Sequence, residues 1–120
     1  MIRDHLDRLE WHCVSLDSLT PAMLGAPVDR ANLSDVFEYL APGAARSVLA
    51  GVANVARPGA RLAYWNMIVP RRGSELLPHK LRALPDVSRT LFDRDKAFFY
   101  RDFIVEEVMG RAKPAERIAR

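Results

Sequence analysis

The sequence predicts an α/β layer of three or four strands, and three observations carry that expectation. Residues 61–69, R-L-A-Y-W-N-M-I-V, are nearly continuously apolar, as a strand covered on both faces should be. Residues 44–57 before them set Ala45, Val48, Leu49, Val52 and Ala56 on one face at helical spacing. Ahead of that helix, residues 28–33 read as a strand that passes into a helix through Asn32, Ser34 and Asp35. Strand, helix, strand is the βαβ unit, whose right-handed crossover makes its two strands parallel. Ligands of such a sheet bind beyond the carboxyl ends of its strands. A site is therefore expected on residues 28–40, V-D-R-A-N-L-S-D-V-F-E-Y-L.

The remaining elements follow in order. Residues 9–16, L-E-W-H-C-V-S-L, alternate Trp11 and Cys13 against Glu10 and His12, which predicts a first strand. Asp17-Ser18-Leu19-Thr20-Pro21 then forms a turn that caps a short helix to about Leu24, ended by Gly25, Ala26 and Pro27. The strand over 28–33 is weakened by Asp29, Arg30 and Asn32 and gains support from the helix start at 35–40. Pro42-Gly43 breaks that helix and opens the next, which Pro58-Gly59 stops, with Arg57 at its negative end. Past the turn Pro70-Arg71-Arg72-Gly73, residues 75–84 and 87–92 read as helices separated by Pro85-Asp86. Residues 103–109, F-I-V-E-E-V-M, alternate well enough for a last strand, and 110–120 form a basic tail.

Composition bounds the class. A chain of 120 residues is at most one domain, with 49 % hydrophobic and 28 % charged residues, both ordinary globular values. A net charge of +3 is mildly basic, with much of the excess late in the chain, and a solvated basic surface accounts for it. Cys13 is the single cysteine, so neither an intrachain disulfide nor a thiolate metal cluster can form, and a reducing compartment fits. The N-terminus M-I-R-D-H-L-D-R-L-E has no apolar core of the signal-peptide kind, and no apolar run approaches the roughly 20 residues that span a bilayer. A cytoplasmic protein is expected, with any membrane contact peripheral at the inner membrane surface.

Several chemistries have no motif here. There is no H-E-x-x-H, and His5, His12 and His79 lack ligand spacing, so no metal is expected. Neither G-x-S-x-G, nor a phosphate loop, nor G-x-G-x-x-G after a strand occurs. Aromatic and basic residues are not interleaved, so no nucleic-acid partner is expected. What remains is polar residues at strand ends: Asp17-Ser18 after the first, Asn32 to Asp35 after the second, and Asn66 late in the third. Asp17 and Ser34 also suit helix caps, and Asp35 suits a first helical turn. Asn66 inside an apolar strand must find hydrogen-bond partners once buried.

These residues bring a family into view. D-S-L, then residues 28–40, then R-P-G-A-R-L-A-Y-W-N-M-I-V-P-R-R resemble the second half of a class I S-adenosylmethionine-dependent transferase. N-L-S-D-V-F-E-Y-L, W-N-M-I-V-P-R-R and D-K-A-F-F-Y-R-D-F-I-V-E-E-V resemble, more narrowly, the diacylglycerol 3-amino-3-carboxypropyltransferase family of betaine-lipid synthesis. The likeness runs from about Leu9 to Met109. It implies a partial Rossmann-like class I methyltransferase fold lacking its first strands and glycine-rich turn, with residues 1–120 as the C-terminal part of one domain. The implied reaction passes the 3-amino-3-carboxypropyl group of S-adenosylmethionine, a co-substrate, to the hydroxyl of diacylglycerol, leaving methylthioadenosine.

By the same resemblance, Asp17, Ser18, Asn32, Leu33 and Ser34 match cofactor-binding positions. Asp35 and Tyr39 are the candidates to accept or orient the hydroxyl proton. Asn66, Arg71 and Arg72 fall on the substrate side, where a guanidinium can hold the transferred carboxylate with two hydrogen bonds. The chain is then expected to be inactive alone, completed by an N-terminal half or a homo-oligomer. The alternative is a non-catalytic α/β interaction module or dimerising remnant of a methyltransferase-like domain.

Overall fold

The computed structural model describes residues 1–110. The elements in chain order are α1 (Pro21–Leu24), β1 (Val28–Asn32), α2 (Pro42–Val55), β2 (Ala56–Asn66), α3 (Gly73–Leu76), β3 (Leu81–Ala83), α4 (Pro85–Arg94) and β4 (Asp102–Val108). Short 3₁₀ turns cover Ile2–Arg8, Leu16–Ser18 and Val36–Tyr39. The protein is mixed α/β, and its four strands form one sheet in the order β1-β2-β4-β3. β1 and β2 are parallel, as the βαβ reading requires, while β4 runs antiparallel to both β2 and β3. No helix among the described residues is long and apolar enough to cross a membrane.

One face of the sheet makes the core. Ala60, Leu62 and Tyr64 of β2, Ile104 and Val108 of β4, and Leu81 of β3 pack against Ala45, Leu49 and Val52 of α2. Leu33 and Phe37 close the top of this layer, and Phe37 meets the Tyr64 ring edge-on at 4.9 Å. An aromatic pair in that arrangement adds about 0.5–1.5 kcal/mol beyond the area it buries. The other face is covered less. Ser88 of α4 accepts the Val105 N–H at 2.9 Å through its Oγ, so α4 lies over β4. Ala63 and Trp65 of β2 stay half-buried and Arg61 is exposed, which corrects the expectation of a strand covered on both faces.

Several expected elements change. Residues 9–16 form no strand: they pair with no other strand among the described residues, and Trp11 is 90 % exposed, so their alternation has no face to bury. The helix expected over 35–40 is a single 3₁₀ turn. The long helix ends at Val55 rather than at 57, and Ala56 already pairs with Val28. Pro58-Gly59 lies in an irregularity between that pair and Arg30↔Arg61, with Gly59 at φ +85°, where a glycine is favoured. Arg57 is no helix cap; its Nε reaches the Asp29 carboxylate at 2.5 Å. Residues 75–84 divide into α3 and the short β3, because Leu81, Arg82 and Ala83 find partners in Val108, Glu107 and Glu106. The rest of the basic tail, residues 111–120, lies outside the described residues.

Candidate functional site

The carboxyl ends of β1 and β2 and the amino end of antiparallel β4 share one edge of the sheet. β1 continues its ladder one step beyond its formal end, since Leu33 N–H donates to Ala63 O and Trp65 N–H to Ser34 O, both at 2.9 Å. The chain then turns sharply. Asn32 Oδ1 accepts the Ser34 N–H at 2.9 Å, the side-chain turn that asparagine favours, and Ser34 takes φ +52°. A non-glycine residue in that region costs about 1–3 kcal/mol and persists only where its surroundings enforce it.

That turn aims Asp35 at a residue 65 positions away. Its Oδ2 accepts the Tyr100 hydroxyl at 3.2 Å, and its Oδ1 accepts Ser34 Oγ at 3.2 Å. Partial burial raises the Tyr100 phenol above its ordinary value, and the Asp35 charge and hydrogen bond raise it further. Trp65 Nε1 donates to Asp95 Oδ2 at 2.7 Å, a bond that holds the Asp95 carboxyl below its usual range. The Trp65 ring lies 5.9 Å from Tyr100 and 4.7 Å from Phe103. Between these groups opens a cleft of about 600 Å³, lined by Asn32, Ser34, Trp65, Ala97 and Tyr100.

Glu38 braces the cleft from behind. Its carboxylate accepts the backbone N–H groups of Met67, Ile68 and Val69, the turn leaving β2. Partial burial works against its ionisation, yet the three amides outweigh burial and hold the carboxyl below its ordinary value. Arg71 Nη2 adds a bond to Leu40 O at 3.1 Å. The 3₁₀ turn after β1 and the turn after β2 are thereby locked together.

The expected site residues divide. Asn32 and Ser34 line the cleft and Asp35 borders it, while Tyr39 stands 79 % exposed on the same edge. Leu33 belongs to the core and presents only backbone here. Asn66 is buried and donates through Nδ2 to Arg71 O at 2.7 Å; its Oδ1 and Arg71 Nε have no partner among the described residues. Arg72 is exposed and lines a separate cavity of about 280 Å³ between β4 and α4. Asp17 and Ser18 are not at this edge. They follow no strand and cross α2 so closely that a Cβ on Gly51 would lie 2.8 Å from the Asp17 Cα.

Sequence reasoning missed Glu38, Trp65, Asp95 and Tyr100. All four lie inside segments singled out by the sequence, but hydrogen bonds across about 30 to 65 residues set their roles. The assembled cleft offers an aromatic wall beside a carboxylate, which suits a ligand with a planar ring or a positive charge. Among the described residues, no group of three His, Cys, Asp or Glu side chains could hold a metal ion. The chain matches no protein-family model, and comparison with curated proteins and with solved structures finds no match.

Proposed function

We propose that the chain is one part of a class I S-adenosylmethionine-dependent transferase domain that moves the 3-amino-3-carboxypropyl group to the hydroxyl of diacylglycerol. One observation carries the reading: the three sequence blocks that resemble this family meet at one cleft. N-L-S-D-V-F-E-Y-L supplies Asn32, Ser34, Asp35 and Glu38, W-N-M-I-V-P-R-R supplies Trp65 and the turn on Glu38, and D-K-A-F-F-Y-R-D-F-I-V-E-E-V supplies Ala97 and Tyr100. Parallel β1 and β2 with an added antiparallel strand suit a doubly wound sheet, and the cleft lies where such sheets bind ligands. A sulfonium is a cation, which the Trp65 and Tyr100 rings and the Asp35 carboxylate would attract.

In the proposed reaction the acceptor hydroxyl oxygen attacks the γ-carbon of the methionine moiety. The new C–O bond forms as the Cγ–S bond breaks, and the bonding pair returns to sulfur, giving neutral methylthioadenosine. Asp35 takes the hydroxyl proton, and Tyr39 on the same edge orients the acceptor. Asn32 and Ser34 bind the cofactor's methionine end and Arg71 pairs with its carboxylate, while Arg72, which lines the separate cavity between β4 and α4, takes no part. Asp17 and Ser18 take no part in this cleft. The reading requires a glycine-rich cofactor turn, which would stand beside β1, the end strand of the sheet among the described residues.

The test supplies the chain with a half-domain carrying such a turn, together with diacylglycerol and S-adenosylmethionine labelled in either its carboxyl or its methyl carbon. Carboxyl label alone should enter the lipid, and Asp35→Asn should slow this by about a hundredfold or more. Methyl label in the lipid, or no cofactor binding by calorimetry, overturns the reading. Among the described residues no strand pairs with the outer edge of β1, which favours a second reading, a non-catalytic module that pairs this edge with another copy. That reading requires a defined dimer in sedimentation with no cofactor affinity.

A further inference from the structure

Residues 1–15 form an arm, and every one of them is exposed. Its apolar side chains include Ile2 at 80 %, Leu9 at 52 % and Trp11 at 90 % exposure. The arm departs from the point where Leu16–Ser18 cross α2 beside Gly51. The Cα radius of gyration is 16.2 Å, against about 13–14 Å for a compact chain of this length, the excess that a projecting arm produces. Within the arm, residues 9–14 keep the alternation of a strand, with Leu9, Trp11 and Cys13 on one side and Glu10 and His12 on the other.

The sheet has the matching gap. Leu33 N–H donates to Ala63 O, so the odd-numbered residues of β1 aim their backbone groups at β2. Arg30 and Asn32 aim theirs at the outer side, where no strand pairs with them among the described residues. Ala31, paired with Leu62, lies on the core face and is half-buried, while Arg30 and Asn32 on the opposite face are exposed. A strand laid here with Trp11 and Cys13 toward the core face extends the apolar surface of Ala31 and sets Glu10 and His12 beside Arg30 and Asn32. Residues 9–14 also match the five residues of β1 in length. One chain thus holds a strand pattern without a sheet and a sheet edge without a strand. In the single chain the two do not pair, so the edge that receives the arm is that of a second copy. Exchange about a twofold axis then fills both edges at once and closes the assembly. We propose that residues 9–14 of each chain add to the outer edge of β1 in a second copy, giving an arm-exchanged dimer. The proposal rests on the second reading, in which this edge meets another copy, and names the segment that fills it. The half-domain of the transferase reading needs the same edge, so exchange is the form the chain takes without that half.

The test is sedimentation equilibrium of the whole chain, without S-adenosylmethionine and without a supplied half-domain. The unaltered chain should be a dimer. Trp11→Ser combined with Cys13→Ser should raise the dissociation constant at least about tenfold and leave the far-ultraviolet circular dichroism of the monomer unchanged, since both residues are exposed in the single chain. Phe98→Ser, at a ring 93 % exposed outside the arm, should leave the dissociation constant unchanged. Ala31→Cys supplies a second thiol on the face that Cys13 would share. Copper phenanthroline takes up two electrons as the two thiols lose their protons and form one S–S bond, and it should join two chains through Cys13 and position 31. A monomeric parent, an unchanged dissociation constant in the double variant, an equal loss in Phe98→Ser, or a link confined within one chain overturns the proposal. A dimer linked through two positions 31 also overturns it, and leaves the second reading standing with the two β1 edges paired directly. Cofactor binding when the half-domain is supplied decides the transferase reading and leaves the exchange untouched.

Discussion

Two tyrosine–carboxylate pairs serve opposite faces of the same sheet, and they differ in everything except their chemistry. Tyr64 donates to Glu106 on the face that packs against α2, and both are fully buried. Tyr100 donates to Asp35 beside Trp65, at the mouth of an open cleft. The Glu106 carboxylate also accepts the Gly73 N–H at 3.0 Å and the Ser74 N–H, at the start of α3. Its surroundings leave no space: a Cβ on Gly73 would lie 2.5 Å from Glu106 Oε1. Burial first, then the Glu106 charge, pushes the Tyr64 phenol far above its ordinary value. A pair closed in this way holds α3 to the sheet and has no face left for a ligand. The Asp35 pair has the same donor and acceptor, but its open side faces the cleft. Access, rather than residue type, separates the structural pair from the candidate site.

The comparison breaks most readily at Glu106. Glu106→Ala leaves the Ser74 N–H, part of the Gly73 N–H bonding and the Tyr64 hydroxyl without their acceptor inside a packed core. An unsatisfied buried donor costs about 1–3 kcal/mol, so the variant should lose about 3 kcal/mol or more in urea unfolding. Glu106→Gln keeps one acceptor oxygen and should lose about half as much. A variant as stable as the parent would make the buried pair dispensable and remove the contrast.

The two tyrosines give a sharper and smaller test. Tyr64→Phe removes the hydroxyl that joins Gly73 N–H, at 2.8 Å, to Glu106, and should cost about 1 kcal/mol because the amide keeps Glu106. Tyr100→Phe should leave the urea midpoint close to that of the parent while altering whatever the cleft binds. Equal destabilisation by the two substitutions would mean that Tyr100 is as structural as Tyr64.

The same contrast separates what was legible in the sequence from what was not. The core face of α2 was readable, because Ala45, Leu49 and Val52 recur at helical spacing before an apolar strand. The polar cluster Asn32, Ser34 and Asp35 was readable as the end of a parallel strand, and it does line or border the cleft. Glu106 was not. Residues 103–108 place one glutamate on each face, so alternation alone cannot choose which is buried. β3 has only three residues, too few for a period, and is a strand because β4 pairs with it. The apparent strand over 9–16 fails for the reverse reason, since its alternation is present but no neighbouring strand receives it. Tyr100 and Trp65 reach the site through contacts 65 and 30 residues away, which no local pattern encodes.

Glu38 is half-buried, like Asp35 and Tyr100, and gives the smallest effect, one that depends on pH. Half-burial favours its neutral form and three backbone amides favour its charged form, with the net result below the ordinary value of 4.5. The folded protein therefore keeps Glu38 ionised where the unfolded chain has already taken up a proton. The resulting stability is fully present above that ordinary value and is lost as pH falls through the depressed one. Glu38→Gln removes this contribution at every pH. The gap between parent and variant in urea midpoint should be widest near neutral pH and should close as the solution is acidified past the ordinary glutamate range. A gap that stays constant through acidification would show that the three amides hold Glu38 by geometry alone. The turn after β2 would then be locked to the 3₁₀ turn at Val36–Tyr39 without help from charge, as α3 is locked to the sheet by a carboxylate with no access to solvent.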